Sequence, residues 1–194
     1  MILATVILAA TTTIAPNGND VDMIPPDATA KELVENCRTM IPANVELSGR
    51  IIMRNRKGIP LEEYDYVLRR IDGKTDLNLD KEALEKTDVT WSDITLDYLW
   101  WDDFDFDGER EGESVHGQKC VVIVMKKEDR RVRVWVDRKT GALMQAEEFK
   151  EDKPIRRLWG TRIKKFGERW MANVLEVENV GSGHRTKITV EALK

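Results

Sequence analysis

The chain has 194 residues, 41% of them hydrophobic and 34% charged, which is enough for one domain with a sizeable core. Its formal net charge of -4 and pI near 5.4 argue against a nucleic-acid binder, which would be basic. The two cysteines, Cys37 and Cys120, lie in no CxxC or metal-spaced cluster. They read as small buried hydrophobes, although spacing alone leaves a disulfide between them open.

Met1 to Ala15 is an uncharged apolar run that ends in small residues and is followed by Pro16-Asn17-Gly18-Asn19-Asp20. It reads as the hydrophobic region of a secretory signal, with Thr13-Ile14-Ala15 as the small-x-small cleavage site, although no Lys or Arg precedes it. It is too short to span a bilayer, which needs ~20 apolar residues. The expected product is therefore exported and soluble, not membrane-spanning. Residues 16–27 are polar and Pro-rich, a linker to one domain over 28–194. Asp27 or Thr29 caps a predicted helix running to about Met40. Leu33, Val34, Cys37 and Ile41 recur on one face, Lys31, Glu32, Glu35 and Arg38 lie on the other, and Pro42 stops it. A single apolar stripe predicts that this helix lies on a sheet.

From Asn44 the period changes to two. Val45, Leu47, Gly49, Ile51 and Met53 alternate with polar residues. Lys57-Gly58 turns the chain into a returning strand, Leu61 to Ile71, with Tyr64, Tyr66 and Leu68 on one face. Asp72-Gly73-Lys74 is another turn, and Asp80 to Lys86 a short helix.

Asp88 to Trp101 holds three of the six Trp residues. Val89, Trp91, Ile94, Leu96, Leu99, Trp100 and Trp101 alternate irregularly with Asp88, Asp93 and Asp97. Such a segment cannot satisfy itself in isolation. It is expected to form a lid packed over the concave face of the sheet that follows, or, on the plainer reading, core packing under a loop. Asp102 to Glu113 is acidic and begins like an EF-hand loop, Asp103-x-Asp105-x-Asp107-Gly108. Ser114 stands where the bidentate Glu is needed, and Arg110 where an apolar residue belongs. Phe104 and Phe106 favour a β-ribbon tip instead.

The remainder reads as a β-meander: Val115 to Lys126, Arg131 to Asp137, Leu143 to Lys150, Ile155 to Phe166, Trp170 to Val180 and His184 to Leu193. Cys120 to Met125 is apolar enough to be covered on both faces, and Gly141 suits the left-handed position of the Asp137–Gly141 turn. The fold class is mainly β (α+β): a curved antiparallel sheet forming an unclosed barrel, with an N-terminal helix and a lid segment. Acidic residues dominate from Asp76 to Glu113 and basic ones from Lys150 to Arg169. These are solvated faces, or a patch for anionic lipid or an acidic partner.

Catalysis finds no motif. His116 and His184 are the only histidines, both beside glycines and read as surface residues. No nucleophile elbow, zinc motif, phosphate loop or dinucleotide fingerprint is present. No catalytic, metal or cofactor-binding residue is assigned, so a binding protein is favoured over an enzyme. Met53, Met125, Met144 and Met171 on predicted strands would suit a cavity that adapts to acyl chains, or simply fill core gaps.

Thr90-Trp91-Ser92-Asp93-Ile94-Thr95-Leu96-Asp97-Tyr98-Leu99-Trp100-Trp101, the Gly117-x-x-Cys120-Val121-Val122 strand and the hairpin Arg133 to Leu143 with Ala146-Glu147 resemble the bacterial outer-membrane lipoprotein-sorting proteins of LolA/LolB-like fold, over about residues 85–194. The resemblance implies an unclosed β-barrel around a lid, periplasmic, monomeric and without cofactor. Its members carry lipoproteins between membranes, and relatives sense envelope stress. Two departures stand out: one hairpin of the carriers is missing between the second strand and the lid, and their lid-locking arginine matches no position here. The expected function is a periplasmic carrier of lipoprotein acyl chains or phospholipid. Trp91, Ile94, Leu96, Leu99, Trp100 and Trp101 are its expected lid contacts. The alternative is an envelope sensor or adaptor that binds a protein partner through the same fold.

Overall fold

The computed structural model describes residues 24–25, 27–72, 74–108, 112–166 and 169–194. The expected signal at 1–15, most of the linker, Gly73, Arg110 and the Gly167-Glu168 turn lie outside the described residues. Helix α1 spans Ala30–Thr39. Of the two caps offered by the sequence, Thr29 is used. Its hydroxyl accepts from the Glu32 amide at 3.2 Å, and Glu32 Oε2 accepts from the Thr29 amide at 2.7 Å, so two otherwise unpaired donors are satisfied reciprocally. Ala30, Leu33, Val34 and Cys37 face inward.

The strands are β1 (Val45–Arg54), β2 (Pro60–Ile71), β3 (Lys74–Leu79), β4 (Asp103–Phe106), β5 (Ser114–Val115), β6 (Gln118–Lys127), β7 (Arg130–Asp137), β8 (Leu143–Lys150), β9 (Lys153–Phe166), β10 (Arg169–Asn179), β11 (Arg185–Thr189) and β12 (Ala192–Leu193). Between β3 and β4 lie helix α2 (Lys81–Lys86), helix α3 (Trp91–Thr95) and a 3-10 turn, Asp97–Trp100. The strands form one curved antiparallel sheet in the order β3-β2-β1-β11-β10-β9-β8-β7-β6-β4, with β12 on β1 and β5 on β6. β3 and β4 are its free ends, so the barrel is not closed.

Register sorts the side chains into two layers. Met53, Thr186, Val177, Leu158, Ala146, Val134 and Ile123 are directly opposite one another across seven strands, and all are buried. One residue along, on the other face, Arg185, Glu178, Arg157, Glu147 and Arg133 form a parallel row of alternating charge. Its members pair at 3.2 Å (Arg185–Glu178), 3.6 Å (Arg157–Glu178) and 2.6 Å (Arg157–Glu147). A one-residue slip would exchange the rows, putting charges into the core, so the register is strongly specified.

Three differences from the sequence reading have physical causes. β3 occupies a stretch expected to hold only a turn and the approach to α2. Thr75, Leu77 and Leu79 are half-buried while Asp76 and Asn78 are exposed, a period of two that pairing with β2 stabilises despite poor strand formers. It supplies a strand where a hairpin was expected to be missing. The last strand is split into β11 and β12, both paired with β1. There the chain crosses Gly49, where a Cβ would lie 1.8 Å from the Thr189 carbonyl oxygen. Finally, the acidic ribbon forms as β4, but Asp107 belongs to the sheet's outer face: its carboxylate accepts from Arg133 Nε at 2.6 Å. With Glu113, which accepts from Trp135 Nε1 at 2.7 Å, it covers the outer side of β7. Both cysteines are free and buried, so they do not pair. Cys37 lies against the Gly141 carbonyl at 3.1 Å, which docks α1 on the β7–β8 turn. Gly141 has the expected left-handed backbone, φ +68°, and a Cβ there would meet Asn36.

Candidate functional site

The aromatic segment, the expected lid, packs over the inner layer. It is more ordered than its irregular pattern suggested, because local caps shape it. The Thr90 hydroxyl accepts from the Asp93 amide at 3.3 Å, and Asp93 Oδ2 accepts from the Thr90 amide at 2.7 Å, starting α3 with a capping box. Leu96, left-handed at φ 54°, ends α3 and begins the 3-10 turn. A branched residue adopts this conformation at a cost of roughly 1–2 kcal/mol, which its complete burial here offsets. Asp88 is also left-handed, at φ 56°.

Of the six expected lid contacts, the structure buries Ile94, Leu96, Leu99 and Trp101 and half-buries Trp100 against the core. Trp91 is 45% exposed and stands apart from the others on the outer side of α3. Val89 and Tyr98, outside the six expected contacts, are also buried with the lid. The Tyr98 and Trp101 rings pack edge to face, with centroids 6.5 Å apart.

The underside is apolar, but the attachments are polar. Arg38, expected on the side of α1 opposite its apolar stripe, donates from Nε to the Leu99 carbonyl at 2.6 Å and from Nη2 to the Trp101 carbonyl at 3.2 Å. At the other end, Arg156 donates to the Asp88 carbonyl and to Asp93 Oδ2, the latter at 3.1 Å. Arg130 donates to Ser92 Oγ at 3.1 Å and lies over the Trp101 ring. Thr186 donates to the Thr87 carbonyl at 2.7 Å. His184, expected at the surface, is half-buried with Nδ1 3.0 Å from Asp88 Oδ2. An acidic lid thus sits in a basic cradle. Burial pushes the Asp93 carboxyl above its ordinary range, with Arg156 and the Thr90 hydrogen bonds opposing. Burial also holds Tyr98 as a neutral hydroxyl.

Three further features concern what the closed lid leaves unmet. Between lid and sheet is a cavity of about 20 Å³ lined by Ser92, Asp93, Tyr98, Arg130, Glu148 and Arg156, among others, room for about one water. Three larger clefts, of about 490, 420 and 390 Å³, are lined by no lid residue. Tyr98 Oη, Trp101 Nε1 and the Nε and Nη1 of Arg70 are buried without a hydrogen-bond partner among the described residues. All four can donate, and each such group left unmet costs roughly 1–3 kcal/mol, more where charged. Among the described residues, no cluster of three His, Cys, Asp or Glu could hold a metal ion, and no helix is long and apolar enough to cross a membrane.

A family model with the description "-like: Uncharacterized protein" matches residues 68–194, most of the chain. The chain belongs to this family, and its fold is LolA-like. Among solved structures, it is similar to a LolA superfamily protein from Nitrosomonas europaea (TM-score 0.66, 12% identity, covering 86% of this chain and 93% of that one). It is also similar to a DUF1329 family protein from Desulfovibrio piger (0.59, 17%, 84% and 89%). A third is a putative outer membrane lipoprotein-sorting protein domain from Vibrio parahaemolyticus (0.55, 14%, 78% and 85%). At these identities the likeness is one of fold. No curated protein matches the chain.

Proposed function

We propose that this LolA-like protein is a carrier of the bacterial envelope that takes lipoprotein acyl chains or phospholipid between lid and sheet, with Ile94, Leu96, Leu99, Trp100 and Trp101 as lid contacts. The observation that carries this reading is a segment with an apolar underside held to the sheet by polar ties that water can replace. The closed site holds about one water, so a chain enters only if the lid lifts. Lifting exposes Ile94, Leu96, Tyr98, Leu99 and Trp101, at roughly 1.5–3 kcal/mol each. An acyl chain that re-covers both surfaces contributes roughly 0.8 kcal/mol per methylene, so about 10 to 19 methylenes offset the opening. Binding near balance is reversible, as a carrier requires.

The second reading, an envelope sensor or adaptor for a protein partner, is favoured by the filled interior. Native mass spectrometry with lipid extraction, on protein made by a periplasmic expression host without detergent, separates the two. The carrier predicts bound phospholipid or acylated peptide, lost in Trp100→Ala and kept in Trp91→Ala. An apo mass that takes up no added lipid would refute it.

A further inference from the structure

Arg70 is placed where, among the described residues, a cation meets no acidic partner. Its row partners across β2 are Val45 on β1 and Thr75 on β3, neither of them charged. The acids nearby are on the opposite face, where Arg69 lies opposite Glu46 and Asp76 and donates to Glu46 at 2.7 Å. Arg70 itself is only 9% exposed, and its Nε and Nη1 are sealed from solvent with no acceptor among the described residues. Burial lowers its pKa, and among the described residues no acidic side chain counters that effect. The lid lies against it: the Trp100 ring centroid is 5.1 Å from the guanidinium carbon. A ring face attracts a cation but accepts no in-plane N–H, so the donors stay unmet while the lid is closed.

We propose that Arg70 is the headgroup subsite of the lid site and that the cargo is an acyl lipid bearing a phosphate. This rests on the carrier reading above. When the lid lifts, Trp100 leaves the guanidinium and turns to the acyl chain, and the phosphate oxygens take the Arg70 donors. The guanidinium fan of N–H groups suits a phosphate. The lipid's ester and phosphate oxygens are acceptors, which is also what Tyr98 Oη and Trp101 Nε1 lack. The arrangement couples the two halves of the cargo: the chain replaces the lid's underside, and the headgroup replaces the ring over Arg70.

The test compares two probes with the same single acyl chain, a lysophosphatidic acid and a monoacylglycerol, titrated into the full protein by Trp fluorescence and native mass spectrometry. The wild type should prefer the phosphate-bearing lipid by about tenfold or more. Arg70→Met should lose that preference, keep monoacylglycerol binding and melt no lower than the wild type, because an unpaired buried cation has been removed. Equal binding of both lipids by the wild type, which needs no variant to measure, would overturn the headgroup subsite and leave the carrier reading standing. So would a preference that survives Arg70→Met. Binding of inorganic phosphate alone that depends on Arg70, with no preference between the lipids, would assign the site to a free anion and overturn the lipid assignment. If neither lipid binds, both readings fall.

Discussion

Arg38 is the clearest lever on lid opening. Arg38→Met keeps much of the apolar stem and removes the guanidinium, with its contact over the Phe104 ring and both donors to the lid carbonyls. A hydrogen bond from a charged donor contributes roughly 1.5–3 kcal/mol. The 2.6 Å contact to Leu99 counts fully and the 3.2 Å contact to Trp101 only in part. The side chain is 18% exposed, so solvent screens it little, and the ion pair lost with half-exposed Glu35 contributes only a few tenths. The closed lid should therefore lose about 2–4 kcal/mol, raising its opening constant roughly 30- to 900-fold. Native-state amide hydrogen exchange reads this directly. The Leu96 amide, bonded to the Ser92 carbonyl, and the Leu99 amide, bonded to the Leu96 carbonyl, should exchange faster by about that factor, with β7 and β8 changing far less. If lid and strand amides accelerate together, the lid does not open as a unit and the reasoning fails.

Gly49→Ala should lower the melting temperature by well over 5 °C, because the new methyl would meet the Thr189 backbone at 1.8 Å and overpacking costs roughly 1–3 kcal/mol even where side chains can yield. A melt within 1 °C of the wild type would refute the close crossing. Burial pushes the Cys37 thiol up to about 12 and the Cys120 thiol up to about 11, so neither should react with iodoacetamide in the native protein near pH 8, and both should react once it is unfolded; native labelling at either would contradict the packing. Asp93 has its carboxyl pKa raised on folding, so in the window above the ordinary carboxylate value the folded chain holds more protons than the unfolded one. Its contribution to stability therefore improves as pH falls through the folded value towards the ordinary one. The stability of the wild type relative to Asp93→Asn should rise between about pH 7 and about pH 4. A gap that stays constant over that range would show that Asp93 is not perturbed.

The sheet was legible because register and burial leave a period of two. Val45 to Met53 and Arg131 to Asp137 carry it openly, and Asp137–Gly141 announced its own turn. β3 carries the same period in Thr75, Leu77 and Leu79, but Asp76 and Asn78 masked it. The lid was legible as a segment that needed a partner, but not as α3 and a 3-10 turn. That shape depends on Asp93 reaching back to Thr90 and on Leu96 accepting a left-handed backbone, which is strained except where tertiary packing holds it.

The arginines that hold the lid were harder to read, because an isolated arginine in a charged chain looks like solvated surface. Parity carries the missing signal. On β2, Tyr66, Leu68 and Arg70 are two apart, so the arginine occupies the buried face. On β9, Arg156 keeps the same phase as buried Leu158. An arginine in phase with core residues must be paired, stacked or waiting for an acceptor, since burying an unpaired cation costs several kcal/mol. Arg156 is paired with Asp93, and Arg70 is stacked on Trp100 with two donors unmet. Both therefore face the same segment for opposite reasons. Arg156 bonds to Asp88 and Asp93 with the lid down, so it favours closure. On the carrier reading, Arg70 gains acceptors once a headgroup replaces Trp100, so it favours an occupied, open lid. A two-state lid needs both kinds of contact: one alone would leave it permanently shut, the other permanently loose.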